Sequence, residues 1–469
     1  MLVQFSCENF RSFGDLAVFS MLATSDGKHP SHKVVLPSRK GAHAVRCAAM
    51  YGANASGKSN LVKAIDSLRG LVVEGRSVRA GAVMQPFRLC EPNSRPTRFE
   101  AIFVTQGKEY TYGVALSPTL VEEEYLLCRQ GSSNRLLFGR ETLPDGEVKV
   151  DFAPLFVSKD VRAFLKYKVL DTPPDQTFLS AVFDGNFKEH LPRLSPVMRW
   201  FQEVLIVVSA DAENRALEVR AHRSSVFRDH LATTLRNAGT GIEDVVTSES
   251  PIDWDRDLVG FAPEFREQIR SRVDQLEDDG LYLGPVPDMN GTRYLFRRNA
   301  DGIALITRMH LRHGTGDGTA VDFDTGEESD GTQRLMHLDP VLFEMTKGLE
   351  HVLIIDELDR RLHTHLTRML VEQALACTGN SQLVFTTHDT NLLDLDLLRR
   401  DEIWFVEKDA GGRSHLYSLA EFKVRPDIQV RKGYLNGRYG AIPFIGSVDG
   451  LGWTAEEGDK GDPSIAKVG

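Results

Sequence analysis

A short loop bounded by glycines constrains this chain more than any other feature: Met50-Tyr-Gly-Ala-Asn-Ala-Ser-Gly-Lys-Ser-Asn-Leu61. Gly52, Gly57, Lys58 and Ser59 fit the pattern Gly-x4-Gly-Lys-Ser. Residues 48–51 are apolar and lead in as a strand does. Residues 60–71 lead out with a helical pattern. Strand, loop and helix in that order make the pattern a phosphate cradle rather than a chance loop. Gly52 and Gly57 let the backbone turn tightly and approach an anion closely. The N–H groups at the new helix start point at that anion, and the helix dipole favours it. Asn54, Ala55, Ser56 and Asn60 complete the cradle. Lys58 is placed to reach the β- and γ-phosphates of a nucleotide, and the Ser59 hydroxyl to sit on Mg²⁺.

A second stretch has the chemistry such a cradle needs. Val352-Leu-Ile-Ile-Asp-Glu357 is four apolar residues followed by two acids. An unbroken apolar run reads as a buried parallel strand. Ligands bind at the carboxyl ends of such strands. Asp356 suits the Mg²⁺ shell. Glu357 suits orienting and polarising the water that attacks the γ-phosphate. A further apolar strand, Gln382-Leu-Val-Phe-Thr-Thr, ends at His388-Asp389, where a histidine can hydrogen-bond the γ-phosphate. Upstream, Glu328-Ser-Asp-Gly-Thr-Gln-Arg334 opens a helix. Ser329 or Asp330 there is either a plain helix cap or part of an anion-binding helix start.

The rest of the chain sets the context. It has 469 residues, enough for two to three domains, with net charge −10 and an ordinary soluble composition. That charge argues against a chain that binds nucleic acid over its whole surface. Five scattered cysteines without CxxC spacing fit reduced thiols. The polar N-terminus is not a signal peptide, and no apolar run spans a membrane. A cytoplasmic location is expected.

Leu2 to Phe5 reads as a strand, with Phe10 and Phe13 packing behind it. Phe99-Glu-Ala-Ile-Phe-Val and Tyr110-Thr-Tyr-Gly-Val-Ala-Leu alternate around Gln106-Gly107-Lys108 as a hairpin, extended by later strands into an antiparallel meander. Segments 158–167, 187–204, 225–237 and 262–276 carry apolar residues at three- and four-residue spacing, which predicts a compact helical insertion. No heptads long enough for a coiled coil occur. Arg215, Arg220, Arg223 and Arg228 read as a solvated face or as a nucleic-acid or partner surface. Asp394, Asp396 and Glu402 read as loop and helix-end acids, with a metal cluster as the alternative. The expected fold is α/β, a P-loop core of mixed sheet with an antiparallel β subdomain and an inserted helical lobe. Its divisions are an N-terminal lobe (1–150), the insertion (151–285), a C-terminal lobe (286–446) and a flexible tail (447–469).

The order of these motifs resembles ABC-type ATPases of the RecF/SMC/OLD branch. More narrowly it resembles the bacterial AAA-type "ATP/GTP-binding protein" family of phage-defence islands, which includes ATPase subunits of PARIS-like and Septu-like systems. The resemblance rests on Asn9-Phe-Arg-Ser-Phe, the loop at Gly52, Ser329-Asp-Gly-Thr, Asp356-Glu-Leu with Leu362-His363, Thr387-His388-Asp389, and Tyr434-Leu-Asn-Gly-Arg-Tyr-Gly-Ala-Ile-Pro443. It implies ATP and Mg²⁺ held between two copies. Ser329 and Gly331 of one copy, as an ABC signature with Asp330 replacing its middle glycine, would complete the other copy's site. It places Gln85 as a lever sensing Mg²⁺ and water, Arg11 at the nucleotide and Asp359 in the D-loop. It also implies a separate effector, a nuclease or toxin, and a role in antiviral defence, with nucleic acid allowed but not required and no membrane. The alternative is a RecF- or SMC-like ATPase acting on DNA in repair. An OLD-type nuclease is disfavoured, because too little chain follows His388 for a Toprim domain.

Overall fold

The computed structural model describes residues 1–81, 83–89, 95–153, 159–183, 193–214, 217–276, 283–288, 292–377, 379–423 and 429–442. Cys90, Arg215, Pro443 and the expected tail at 447–469 lie outside the described residues.

A strand buried on both faces organises the architecture. β5 (Cys47–Tyr51) alternates its side chains between two cores. Ala48 and Met50 enter one, and Cys47, Ala49 and Tyr51 the other. Such a strand needs covering layers on both sides. On one side lies α1 (Lys58–Val73), which starts where the phosphate loop ends. Beyond it is an antiparallel sheet built from β1 (Leu2–Glu8), β2 (Ala17–Ser20), β6 (Thr97–Thr105), β7 (Lys108–Leu116), β8 (Val121–Gln130), β9 (Ser133–Thr142) and β10 (Val148–Phe152). Its order is β10-β9-β8-β7-β6-β1-β2, so the expected meander is extended by the first two strands of the chain. The β6–β7 turn has φ of 48° at Gln106 and 73° at Gly107. Two left-handed residues are what a two-residue type I′ hairpin requires. A small hairpin, β3 (Lys33–Val35) with β4 (His43–Val45), flanks this layer. Phe10 and Phe13 are buried, as expected.

The four expected helical segments give α2 (Lys159–Asp171), α4 (Ser195–Arg199) with a π turn at Trp200–Val204, α6 (Ser225–Asn237) and α7 (Pro263–Asp274), and two further helices, α3 (Phe178–Phe183) and α5 (Leu217–Arg223), form outside them. Residues 187–192 of the segment expected at 187–204 lie outside the described residues. Two strands interrupt the helical pattern. β11 (Leu205–Val208) is a four-residue apolar run that pairs in parallel with β17 (Val352–Ile355) in the core sheet. A run that short carries no periodicity to separate strand from helix. β12 (Ile242–Pro251) pairs along β15 (Ala304–Gly314) in a second antiparallel sheet with β14 (Arg293–Arg298), β13 (Leu283–Pro287) and β16 (Ala320–Asp324). Its local signal was the β-branched run Val245-Val246-Thr247.

The second core packs α8 (Asp330–Thr346) and α9 (Thr364–Ala376) against the other face of the core sheet. That sheet runs β11-β17-β18-β5-β19-β20, with β18 (Gln382–Thr386), β19 (Ile403–Lys408) and β20 (Ser414–Ser418). β11, β17, β18, β5 and β19 are parallel, and β20 is antiparallel at the edge. The short helix α10 (Val430–Leu435) closes the described chain.

Candidate nucleotide-binding site

The sheet order places β18 between the loop strand β5 and the acidic strand β17. The carboxyl ends of all three therefore open on one edge of the sheet. Thr386 pairs in register with Met50, and Phe385 with Ile355. The loop, Asp356-Glu357 and Thr386-Thr387-His388 meet there, though they are far apart in sequence.

The loop is held in a left-handed path, with φ of 61° at Ala55 and 119° at Gly57. A side chain at Gly52 would run into the Val406 carbonyl. Ser12 and Ser414 brace the loop from outside. The Asn60 amide and the Ser414 hydroxyl each donate to the Ser12 hydroxyl, both at 2.7 Å. The Ser12 carbonyl accepts from the Ser414 N–H, also at 2.7 Å. Ser12 belongs to the Asn9-Phe-Arg-Ser-Phe stretch already noted in the sequence, whereas Ser414 did not stand out, since a single serine carries no spacing signal. Lys58 folds over the loop and donates to the carbonyls of Gly52 at 2.8 Å and Ala53 at 3.2 Å. Burial pulls its ammonium down to about 8, against the pull of Asp356, Glu357 and Asp359.

Asp356 is buried, with one carboxylate oxygen at the centre of the site. That oxygen accepts from Ser59 at 3.1 Å and from Thr386 at 2.6 Å. The Thr386 hydroxyl accepts in turn from the Glu357 N–H at 2.7 Å. Thr386 thus fixes both acids. The sequence reading passed over it in favour of His388, two residues on. Ser59 and Asp356 offer two hard oxygens side by side, the donor set Mg²⁺ takes alongside phosphates. Glu357 sits at φ 51°, with its side chain partly exposed and its carboxylate 3.7 Å from the Arg360 guanidinium. A left-handed glutamate is uncommon and directs the side chain away from the strand. The Asp359 carboxylate accepts the His388 N–H at 3.1 Å and so fixes the histidine turn. Burial, then the Lys58 charge, lowers the His388 imidazole from its ordinary value.

Other expected residues stand further out. The Arg11 N–H donates to the Gln85 carbonyl at 2.6 Å, which places these two beside Ser12 on the loop's flank. Arg11 lies at φ 50° with its guanidinium over the Phe10 ring. Ser329 caps α8, its hydroxyl accepting from the Thr332 N–H at 3.2 Å. Among the described residues, no hydrogen bond joins Ser329 or Gly331 to the phosphate loop of the same chain. Gly331 lies against the Arg361 carbonyl, which a Cβ there would approach to 2.9 Å.

One surface expectation, the arginine cluster, changes, and the acids Asp394 and Glu402 stand in a loop and at a helix end as read. Arg220 is neither solvated nor free for a ligand: it ion-pairs with Glu344, donates to the Pro340 carbonyl and lies over the Phe227 and Phe343 rings. Arg228 donates to the Ala221 carbonyl. Asp394 pairs with Arg368, and Glu402 is buried against His32. Among the described residues, no group of acids, histidines and cysteines gathers to hold a metal.

The Tyr434 motif acquires a physical role. Tyr434 and Tyr439 stack on Phe405 of β19 at 5.5 and 5.8 Å. Tyr434 also packs edge-on to Tyr51, the last residue before Gly52. The tight turn after α10 uses left-handed Gly437, Gly440 and Ala441. The motif buttresses the strand that carries the loop.

A family model described as "AAA domain, putative AbiEii toxin, Type IV TA system" matches residues 47–153 and 224–394. The chain belongs to this AAA family. The matched stretches contain the loop, the α8 start, Asp356-Glu357 and His388. The P-loop NTPase core expected from the sequence is present, and the family implies nucleotide binding. No curated protein matches the chain. Among solved structures, the SMC head domain from Thermotoga maritima is 13% identical, covers 89% of this chain and 98% of its own, and has a TM-score of 0.37. An SmcHead bound to the C-winged helix domain of ScpA is 13% identical, with coverages of 89% and 97% and a TM-score of 0.39. No described helix is long and apolar enough to cross a membrane.

Proposed function

We propose that this AAA-family chain hydrolyses ATP and uses the cycle as a switch between copies of itself. The observation that carries the hydrolytic reading is the joined pair Ser59–Asp356, held at 3.1 Å, with Thr386 fixing both Asp356 and Glu357. An acid beside the Mg²⁺ acid, on a rigid strand end, is the arrangement that positions a water for in-line attack. Loop N–H groups and Lys58 would hold the β- and γ-phosphates. Ser59 and Asp356 would hold Mg²⁺, which would supply positive charge to offset that of the phosphates. Glu357 would take the proton of the attacking water, and His388 would donate to the γ-phosphate. On this reading Lys58 releases the Gly52 and Ala53 carbonyls when nucleotide arrives.

The switch reading is supported by the exposed α8 start. Ser329 and Asp330 face solvent at a capped helix N-terminus, where N–H groups favour an anion. A second copy's nucleotide would meet Ser329 and Gly331 there. ATP shifts the population of paired copies only through its preference for that state. The output would pass to a partner effector, a nuclease or toxin, in antiviral defence. The test is solution mass with and without ATP–Mg²⁺ for Glu357→Gln, alone and with Ser329→Arg. Pairing that needs ATP and an intact Ser329 is the expected result. Mass that ignores ATP in both proteins removes the shared-site reading. A turnover rate that rises on adding DNA would move the output to the DNA-repair alternative.

A further inference from the structure

Behind the acidic turn lies a cavity of about 230 Å³, lined by residues 210–213, the first turns of α8, and Arg360 with Arg361. Its charges are almost all matched. Asp211 pairs with Arg360 at 2.6 Å, Asp330 with Arg361 at 3.5 Å and Glu213 with Arg293 at 3.7 Å. Arg334 is the exception. It is 6% exposed and lines the cavity. Among the described residues it has no acidic partner within ion-pair distance. Its Nη2 reaches only the carbonyls of Asp356 at 3.5 Å and Glu357 at 3.4 Å, and its Nε has no partner. The Glu357 and Asp211 carboxylates act on it only through space, against the opposing charges of Arg360 and Arg361, and a buried guanidinium with no hydrogen-bonded anion is costly.

The neighbouring groups add donors. The His337 Nδ1 accepts from the Asn214 N–H at 3.4 Å. Burial, then the charge of Arg293, pulls this imidazole down to about 4, so the ring is neutral near pH 7. A neutral ring that accepts at Nδ1 carries its proton on Nε2, a second donor. Gln333 lines the same cavity one residue before Arg334, and its amide nitrogen, which donates one proton to the Glu328 carbonyl at 2.9 Å, has a second proton to give.

We infer that this cavity is a binding site for a small tetrahedral oxyanion of the inorganic phosphate class, held by Arg334 with His337 and Gln333. The Asp356 carboxylate faces Ser59, whereas the Asp356 and Glu357 carbonyls face Arg334. The cavity therefore lies across the acidic turn from the phosphate loop. An anion seated there draws Arg334 from those two carbonyls and so loosens the turn that holds Glu357. The phosphate has two sources, the solution or the site's own hydrolysis. Only the second rests on the proposed ATPase function.

The test is calorimetric titration of inorganic phosphate, with sulfate as the inert analogue, into the full chain saturated with a non-hydrolysable ATP analogue and Mg²⁺. Occupying the loop removes it as a competing phosphate site. The same titration on Lys58→Ala without nucleotide keeps the result independent of the ATPase reading. One anion per chain is expected, with affinity falling at least about tenfold in Arg334→Met, since a charge-assisted hydrogen bond is lost. Should Arg334→Met not fold, His337→Phe decides, with the same direction expected. No anion bound to the wild type, or binding unchanged in the variant that folds, overturns the site. Single-turnover release of labelled phosphate separates the sources. Faster release in the variant identifies the product as occupant, and unchanged release with lost binding identifies solution phosphate.

Discussion

The phosphate loop and the α8 start are both anion-seeking helix N-termini, yet the chain treats them differently. The loop is braced by Ser12 and Ser414, backed by Tyr434 through Tyr51, and joined to Asp356 by Ser59. The α8 start is capped by its own Ser329, and its Asp330 is 70% exposed, paired only loosely to Arg361. One terminus has its partners within the chain. The other presents its cap and an acid to solvent. On the proposed shared-site reading, the difference separates a half-site finished by folding from one that a second copy would complete.

That contrast can be broken by perturbing each half. The largest effect is expected at Glu357→Gln, where losing a positioned proton acceptor lowers turnover about 100- to 10,000-fold while ATP stays bound. Steady-state phosphate release against ATP-analogue binding checks it. A variant that turns over normally would place the base elsewhere. Lys58→Ala removes a charged phosphate contact from the finished half. Nucleotide affinity should fall about 10- to 100-fold, measured by titration with a fluorescent analogue. Ser329→Arg acts on the open half. It should leave that affinity unchanged within a factor of about two and weaken ATP-dependent pairing at least about tenfold, seen by light scattering. Equal loss of both would mean the two halves are not separate.

A pH series sharpens the comparison further. Lys58 sits at about 8 in the nucleotide-free protein, and phosphate favours its charged form. ATP affinity should fall by up to about tenfold per pH unit above that point, with proton uptake on binding seen in buffers of different ionisation enthalpy. Stability runs the other way. The folded chain holds this proton less tightly than the unfolded chain, so the cost of burying the charge is present below about 8. It is relieved as pH rises from there toward the ordinary lysine value. The smallest expected effect is Thr386→Val, which leaves the buried Asp356 oxygen and the Glu357 N–H each short of a partner. A loss of about 1–3 kcal/mol of stability is expected, with weakened Mg²⁺ dependence of nucleotide binding. Urea unfolding and a Mg²⁺ titration measure the two.

Much of this site was legible because its elements are local. Gly52 to Ser59 needs only its own glycines and the helix that follows. Val352 to Glu357 announces a buried strand and its acids by an unbroken apolar run. The β6–β7 hairpin carried its turn residues with it. β11 was not legible, since four apolar residues pair in parallel only if a strand far along the chain lies beside them. β12 was passed over for the helices around it. Arg220 looked like surface charge until Glu344 and Phe343 arrived from α8 to cover it.

The sequence by itself determined the phosphate loop, the acidic strand end and the chemistry they share, because backbone conformation and side-chain type act within a few residues. Only the tertiary structure decided that β18 inserts between β5 and β17. That placement puts Thr386 on Asp356 and Glu357, while the same packing sets Ser414 against Ser12 and leaves Arg334 buried with no hydrogen-bonded acid among the described residues. Those contacts join residues tens to hundreds of positions apart. They exist only once burial of both faces of the core sheet has fixed the strand order.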